Sequence, residues 1–151
     1  MTTTAPVDEL ALRMEQWRKT FEAKDVEGMM SFYADGEAFS AFDLMPPIEF
    51  RGGEMWRRNW VDFFAAWRGP LRLDFADVEV HASTDLGFAR LLVRLVGTMN
   101  GQEVDLWVRT TNCFRRVDGQ WLMIHDHVSV PLDFATGRAL TTLSPSKPMG
   151  E

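Results

Sequence analysis

The sequence predicts an α+β fold in which helices occupy the first half of the chain and long antiparallel strands the second. In the first half, apolar residues recur at spacings of three and four, as they do on a helix buried along one face. In the second half, apolar and polar residues alternate, and Asn100-Gly101 and Asp118-Gly119 mark two-residue hairpin turns. A run of helices followed by a run of strands is typical of an α+β domain.

Three helices are predicted, each beginning near a capping or chain-breaking signal. Asp8 and Asp25 are suited to cap the first two, because a carboxylate accepts hydrogen bonds from free backbone N–H groups, and Gly52-Gly53 precedes the third. A short strand ending at Asp43 lies between the second and third helices. The residues expected to face inward are Leu10, Met14, Trp17 and Phe21, then Val26, Met29, Met30 and Tyr33, and finally Trp56, Trp60, Phe63, Phe64 and Trp67. Aromatic stripes of this kind usually pack in a core.

Length and composition are typical of one globular domain. The chain has 151 residues, 46% of them hydrophobic, and we expect a single domain over 8–134 between a disordered start, 1–7, and a C-terminal tail, 135–151. Acidic residues outnumber basic ones by 22 to 16, so we expect no binding to nucleic acid or to an anionic membrane. The first ten residues lack the features of a secretory signal and Cys113 is the single cysteine, which predicts a cytoplasmic protein.

The hairpin turns allow the strand register to be predicted by counting, because a two-residue turn fixes which residues lie opposite each other. From the second turn, the predicted pairs are Arg116 with Trp121, Phe114 with Met123, Asn112 with His125, Thr110 with His127, and Val108 with Ser129. From the first turn, they are Val108 with Val93, Thr110 with Leu91, and Asn112 with Ala89. Because side chains alternate along a strand, His125 and His127 are expected to point inward together.

The predicted inner face carries a polar group beneath the aromatic helices. Its members are Thr110, Asn112, His125, His127 and Ser129. Buried polar side chains must be hydrogen-bonded or hydrated, and apolar walls with a few converging polar groups are typical of a small-molecule site. The sequence therefore predicts an internal pocket between the helices and the sheet.

The opposite, outer face of the predicted sheet is also partly apolar. Arg94, Trp107, Arg109 and Asp126 are assigned to it, beside apolar positions such as Ile124. A sheet that is apolar on both faces needs cover on both, and no helix remains to cover the second. We therefore expect a homodimer joined through this face.

The order of elements, together with the segments FYADGEAFSAFD and FRRVDGQWLMIHDHVSVP, resembles the nuclear-transport-factor-two-like superfamily, and within it the SnoaL-like polyketide cyclases. The steroid delta-isomerases and the association domain of calcium/calmodulin-dependent kinase are similar too. The resemblance covers roughly residues 8 to 134. It implies a cone-shaped, curved antiparallel sheet wrapped around three N-terminal helices, with an internal pocket. Because the superfamily includes both enzymes and noncatalytic modules, its motifs indicate a fold rather than one function.

The resemblance also implies roles for particular residues. An aspartate after the YAD segment is the general base of the steroid isomerases, and Asp43 matches it, although it lies two residues further from Tyr33-Ala34-Asp35. Trp17 stands where those enzymes have an oxyanion-binding tyrosine; its indole N–H donates a hydrogen bond but is not an acid. Their second donor is a protonated aspartate on the sheet. The predicted inner face offers no carboxylate, only Asn112, so steroid isomerisation is not expected.

The chemistry expected is proton transfer at carbon, of isomerase, cyclase or lyase (dehydratase) type, without a cofactor or a metal. Asp43 would remove a proton while His125 or His127, whose unperturbed pKa lies near neutrality, donates to the developing oxyanion. The expected ligand is a small hydrophobic or carbonyl-containing molecule. The substrate-binding positions would be Trp17, Tyr33, Trp56, Trp60, Thr110, Asn112 and Ser129.

Other interpretations of the same residues are open. The two histidines could be interior side chains that only tie the sheet to a helix, or could hold a metal ion together with Asp43. Asp43 could merely cap the turn before Pro46-Pro47. The domain as a whole could be a noncatalytic ligand-binding or assembly module of the same fold. A carboxylate that faces the histidines would favour catalysis.

Overall fold

The polypeptide forms three α-helices and eight strands within residues 4–149, the part of the chain that this computed structural model describes. The helices are α1, Pro6–Glu22; α2, Val26–Met30; and α3, Gly53–Ala65. The strands are β1, Ser40–Phe42; β2, Phe50–Arg51; β3, Trp67–Ala82; β4, Leu86–Met99; β5, Gln102–Val117; β6, Gln120–Ser129; β7, Leu132–Asp133; and β8, Arg138–Ala139. Within those residues, no helix combines the length and the apolar character needed to cross a membrane.

Six of the strands form one curved sheet in the order β2-β1-β6-β5-β4-β3, and β7 and β8 form a separate hairpin. The prediction of a cone-shaped sheet wrapped around N-terminal helices is confirmed, with one correction: the sheet is mixed rather than wholly antiparallel. Strands β1 and β6 run parallel, whereas the other neighbouring pairs are antiparallel. The physical reason is that a long connection joins β1 to β6, and only a long connection can return the chain in the same direction.

The first helix begins closer to the start of the chain than the sequence predicted. Helix α1 begins at Pro6, inside the segment 1–7 expected to be disordered; residues 1–3 lie outside the described residues. Ala5 occupies the N-cap, and Asp8 lies in the first turn, where its charge favours the helix dipole. Strand β7 lies at the end of the predicted domain and pairs with β8 in the predicted C-terminal tail, and Leu143 of that tail lines a shallow depression on the outer face together with Trp107.

Both two-residue turns form as predicted, and they adopt the left-handed backbone that Asn, Asp and Gly tolerate best. The φ angle is 50° at Asn100 and 80° at Gly101, and it is 50° at Asp118 and 76° at Gly119. Between β4 and β5, every predicted residue pair is confirmed. The turn chemistry therefore sets the register of this hairpin along its whole length.

The predicted register between β5 and β6 is right near the turn and wrong beyond it. Phe114 lies opposite Met123 as expected, but the next pair is Cys113 with His125, which leaves Ile124 as an extra residue in β6. This is a β-bulge, in which two residues of one strand oppose one residue of its partner. Because side chains alternate, a shift of one residue moves every later side chain to the other face of the sheet. The residues of β6 after the bulge therefore face opposite to the prediction.

The core lies between the inner face of the sheet and helices α1 and α3. Trp60 from α3 packs against Trp17 and Phe21 from α1, with ring centroids 6.3 and 5.4 Å apart. Arg13, also on α1, donates from Nε to the backbone carbonyl oxygen of Trp121 in β6 over 3.0 Å. Aromatic packing and this hydrogen bond together fix α1 across the sheet, and that placement encloses the site described below.

Trp56 is the centre of this aromatic core, since it is 2% exposed and contacts the rings of Tyr33, Phe39 and Phe50 at centroid distances of 5.9, 5.4 and 5.3 Å. We expect Trp56→Ala to lower the free energy of unfolding by about 3–5 kcal/mol, measured by urea denaturation, because a large cavity is left in a packed core. The matched control is Met55→Ala, which changes an exposed neighbour on α3 and should alter that free energy by less than about 0.5 kcal/mol. Equal effects of the two substitutions would contradict the assignment of the core.

Candidate active site

A cavity opens between α1, α3 and the inner face of the sheet, close to the end of β1. Its volume is about 100 Å³, which is room for several water molecules or a small organic group. Its aromatic lining residues are Trp17, Phe21, Trp56, Trp60 and Phe63, and its polar ones are Asp43, Asn59, Thr110 and Asp126. Mostly apolar walls with a few polar groups are what a small-molecule site requires.

Asp126 is the most deeply buried acidic group of the cavity, with 4% of its surface exposed. It faces inward because the bulge at Ile124 shifts the alternation of β6 by one residue. On the neighbouring strand, Asn112 donates from Nδ2 to Oδ1 of Asp126 over 2.7 Å. Burial raises the pKa of Asp126 to about 8, and the charge of Asp43 acts in the same direction, while the hydrogen bond from Asn112 opposes both. Asp126 is therefore mostly protonated at pH 7 and can donate a hydrogen bond.

Asp43 is the second carboxyl group of the cavity. It follows β1, in which Ala41 is paired with Asp126, so the two acidic residues lie on the same side of the sheet. Helix α3 presents Asn59, whose Nδ2 donates to Oδ2 of Asp43 over 3.2 Å. Burial raises the pKa of Asp43 above its ordinary value, and hydrogen bonds from the Leu44 backbone and from Asn59 oppose the rise. Asp43 lines the cavity as predicted, but it shares the cavity with another carboxyl group rather than with a histidine.

Trp17 and Tyr33 form a hydrogen-bonded pair at the wall of the cavity. The indole N–H of Trp17 donates to the hydroxyl oxygen of Tyr33 over 3.0 Å. Burial raises the pKa of Tyr33 well above its ordinary value, and the charge of Asp126 acts in the same direction. Tyr33 therefore keeps its proton and supports Trp17 from behind, while Thr110 reaches the cavity directly from β5.

His125, His127 and Ser129 lie on the outer face, and the prediction that they point inward was wrong. The bulge is the physical reason, because it reverses the facing of every residue after it. The Nδ1 atom of His125 is 2.8 Å from the hydroxyl oxygen of Ser40, and both imidazole rings pack against Phe42 with centroids 4.7 and 5.4 Å away. Burial and the neighbouring His127 lower the pKa of His125. Neither histidine can exchange a proton directly with a ligand in the cavity.

The outer face differs from the prediction in a second way. The residues that lie there as expected are Arg94, Trp107 and Arg109. Asp126 does not, because it is buried in the cavity. Arg94 forms two hydrogen bonds with Asp105, 2.8 and 2.7 Å long, and Arg109 donates to the hydroxyl oxygen of Ser129 over 3.1 Å. The guanidinium groups of this face are therefore held by cross-strand partners of the same chain.

The sequence did contain a signal for the bulge that exposes Asp126 to the cavity. Met123 and Val128 are both apolar residues suited to the inner face, but they are five residues apart. In a regular strand, residues separated by an odd number of positions face opposite sides. Burying both therefore requires one extra residue between them, and the same extra residue turns Asp126 inward.

Asn59 is a second residue of the cavity that sequence reasoning missed. It lies three residues after Trp56 and four before Phe63, which places all three on one side of α3. A polar residue within an aromatic stripe was the available signal. Its partner could not be inferred without knowing which strand carries Asp43 beneath the helix.

The α+β cone and the enclosed cavity define a protein of the nuclear transport factor 2 (NTF2)-like fold class. Within that class, the profile of the SnoaL-like domain family matches residues 11–133. The chain belongs to the SnoaL-like domain family, which confirms the resemblance seen in the sequence. No curated protein sequence is significantly similar to it.

Solved structures share the fold over most of their length. An NTF2-like protein of unknown function from Pseudomonas putida is 31% identical over 96% of this chain and 100% of its own, with a TM-score of 0.85. A candidate dehydratase of the NTF2-like family from Streptomyces avermitilis is 20% identical over 84% and 96%, with a TM-score of 0.75. A ketosteroid isomerase-like protein from Erwinia carotovora is 14% identical over 84% and 97%, with a TM-score of 0.71. At such low identity, the last two show a common fold only.

The raised pKa of Asp126 makes the stability of the fold depend on pH. The folded state holds this proton up to about pH 8, whereas the unfolded chain releases it near an ordinary aspartate pKa of about 3.9. Between these two pH values, Asp126 should lower the free energy of unfolding by about 1.4 kcal/mol for each unit that the pH rises. Above about pH 8, Asp126 is ionised in both states and should lower that free energy no further. Urea denaturation of the protein and of Asp126→Asn at pH 5, 7 and 9 measures this slope.

The substitution should flatten the profile, because asparagine does not titrate. Asp62→Asn, an exposed change on α3, should leave the slope as it is. Parallel profiles for Asp126→Asn and the unsubstituted protein would show that the folded state does not raise the pKa of Asp126.

Proposed function

We propose that this protein is a cofactor-independent enzyme that transfers a proton at a carbon atom beside a carbonyl group, in an isomerase, cyclase or dehydratase reaction. Asp43 is the general base and Asp126 is the acid that donates to the carbonyl oxygen. The observation that supports this most directly is the presence of both carboxyl groups in one apolar cavity, in different environments. Pairs of carboxyl groups whose surroundings separate their pKa values serve as acid and base in enzymes.

In the proposed reaction, the substrate binds with its carbonyl oxygen toward Asp126 and an acidic C–H bond toward Asp43. Asp43 takes the proton, the electron pair of the C–H bond forms a carbon–carbon double bond, and the carbonyl π electrons move to oxygen. Asp126 donates its proton, or a strong hydrogen bond, to that oxygen. For isomerisation of a β,γ-unsaturated ketone, Asp43 then returns its proton to the γ carbon; for dehydration, Asp43 gives that proton to a β-hydroxyl group, which leaves as water. In both cases the carbonyl group re-forms as its oxygen returns its proton to Asp126.

The surroundings suit each carboxyl group to its role. The hydrogen bond from Asn112 orients Asp126 from one side, and the aromatic walls exclude water, which strengthens a hydrogen bond made inside the cavity. Asn59 and the Leu44 backbone donate to Asp43, so they limit the rise in its pKa that burial causes and hold the carboxyl group where a base is needed. The names of two fold relatives, a candidate dehydratase and a ketosteroid isomerase-like protein, belong to the same reaction class.

A steroid is not the proposed substrate, because the cavity is too small. Sites for ligands of drug size enclose about 300–1,000 Å³, and this cavity encloses about 100 Å³. Its walls nevertheless suit a flat ring, since Trp17, Trp60 and Phe63 all contribute to them. A small cyclic ketone fits these constraints better than a polycyclic one.

We expect the protein to accelerate deuterium incorporation beside the carbonyl group of small cyclic ketones in D2O, with 2-indanone as the first probe and NMR as the readout. Asp43→Asn should lower the rate by about 10²–10⁴-fold, because it removes the base, and Asp126→Asn by about 10²–10³-fold, because an amide is a weaker donor than an acid. The rate should rise with pH as Asp43 ionises and fall as Asp126 loses its proton near pH 8. The alkaline fall should be missing in Asp126→Asn.

Asp62→Asn, an exposed change on the same helix as Asn59, is the control and should exchange deuterium at the unsubstituted rate. Rates unaffected by both active-site substitutions would remove Asp43 and Asp126 from the reaction. Ketone binding without any exchange would favour the noncatalytic ligand-binding module instead.

We also propose that two copies pair through the outer face of the sheet. Apolar side chains are incompletely covered there: Phe42 and Phe88 are 42% and 41% exposed, and Trp107 and Ile124 are only partly buried. Arg94 and Arg109 lie on the same face, whereas Asp126 plays no part because it is buried on the other side. Uncovered apolar surface of this kind typically marks an interface.

Trp107→Asp should convert such a dimer to a monomer, because it places a charge in the middle of the proposed interface. Light scattering measures the mass directly. Asp118→Asn in the exposed β5–β6 turn is a control that should leave the mass unchanged. An unsubstituted protein that already has the mass of one chain would disprove the pairing.

A further inference from the structure

We propose that the cavity rejects anionic ligands, and that its substrate is a small uncharged ketone without a carboxylate or phosphate group. The statement about the substrate rests on the proposed function, whereas the rejection of anions depends only on the residues that line the cavity. The proposal rests on one observation: Asp43 and Asp126 share a cavity with aromatic walls, and none of the described residues that line it is basic.

The charged residues that line the cavity are all acidic. Among the described residues that form the cavity, two are acidic and none is Lys, Arg or His. An anion that entered would meet the carboxylate of Asp43 at short range in surroundings from which water is largely excluded, where like charges repel most strongly. Among the described residues, no lining group carries a positive charge that could compensate for this repulsion.

Two basic residues that follow cavity-lining tryptophans in sequence are paired with acidic residues. On α1, Arg18 pairs with Glu22 over 2.9 Å and also with Glu15. On α3, Arg57 is held by Glu27 of α2. These pairs keep the guanidinium groups at the protein surface, so neither supplies an anion site inside the cavity.

The cavity offers an uncharged carbonyl group, in contrast, suitable hydrogen-bond donors. The protonated carboxyl group of Asp126 and the hydroxyl group of Thr110 can both donate to its oxygen. The rest of the ligand would lie against aromatic rings, which favour flat apolar groups. An organic cation would be attracted to Asp43, but by pairing with that carboxylate it would inhibit the base rather than react.

Two probes built on the same indane ring system separate these expectations: 2-indanone, which is uncharged, and indane-2-carboxylate, which is an anion at neutral pH. Their dissociation constants are measured at pH 7 from the NMR shifts of the tryptophan indole N–H groups. We expect the ketone to bind and the carboxylate to bind at least tenfold more weakly. Equal or tighter binding of the carboxylate, or no binding of the ketone, would overturn the proposal.

Substitution and pH identify the cause of the discrimination. Asp43→Asn should bring the two dissociation constants within about threefold of each other at pH 6, because Asp43 then carries no charge and Asp126 keeps its proton. Asp62→Asn should leave the ratio unchanged. In the unsubstituted protein, the dissociation constant of the carboxylate divided by that of the ketone should grow from pH 6 to pH 9, because Asp126 ionises over this range. This comparison tests the same cause without any substitution. A ratio independent of pH would contradict that cause.

The outcomes for this inference and for the proposed reaction are separate. Ketone binding with discrimination against the carboxylate, but without deuterium exchange, would reject the enzyme and retain the selectivity. Deuterium exchange together with equal binding of both probes would retain the enzyme and reject the selectivity.

Discussion

The burial of one carboxyl group in an apolar cavity is the constraint on which the rest of this structure depends. Asn112 donates a side-chain hydrogen bond to Asp126, and within residues 4–149 no basic side chain lines the cavity to balance its charge. An ionised carboxylate is costly in such surroundings, so the group keeps its proton instead. Its own burial likewise raises the pKa of Asp43, and burial together with the charge of Asp126 raises that of Tyr33. Burial thus favours the protonated form of each of these three groups.

The two carboxyl groups are held in different ways. Asp126 belongs to the interior of β6 and is fixed by hydrogen-bonded neighbours on both sides of its strand. Asp43 follows the short strand β1, and its side chain is held by Asn59 from α3. The acid is therefore placed by the sheet and the base by the packing of a helix. Changes at α3 can adjust the base while the acid stays in place, which is one way a shared fold comes to serve different reactions.

How much could be predicted from the sequence differs between the fold and the site. Helical spacing and the Asn-Gly and Asp-Gly turns were sufficient for the α+β order and for the register of β4 with β5, because both depend on local signals. The aromatic walls were found for the same reason, whereas Asp43 was found through the family resemblance. Asp126 was missed and the histidines were misplaced, because a bulge is selected by burial of the whole strand rather than by its turn. The run Trp121 to Ile124 is apolar throughout, so alternation within it does not reveal the shift, and only the five-residue separation of Met123 and Val128 indicates it.

The extra residue in β6 has a consequence for chain length. Ile124 and His125 together oppose the single residue Cys113, so a chain one residue shorter at this point would form a regular ladder there. Met123 and Asp126 would still face inward in that shorter strand, since the alternation on either side would be continuous. Homologous chains are therefore free to gain or lose one residue here without exchanging their interior and exterior side chains. An alignment that places such a gap elsewhere in the strand would assign a histidine to the position of the buried acid.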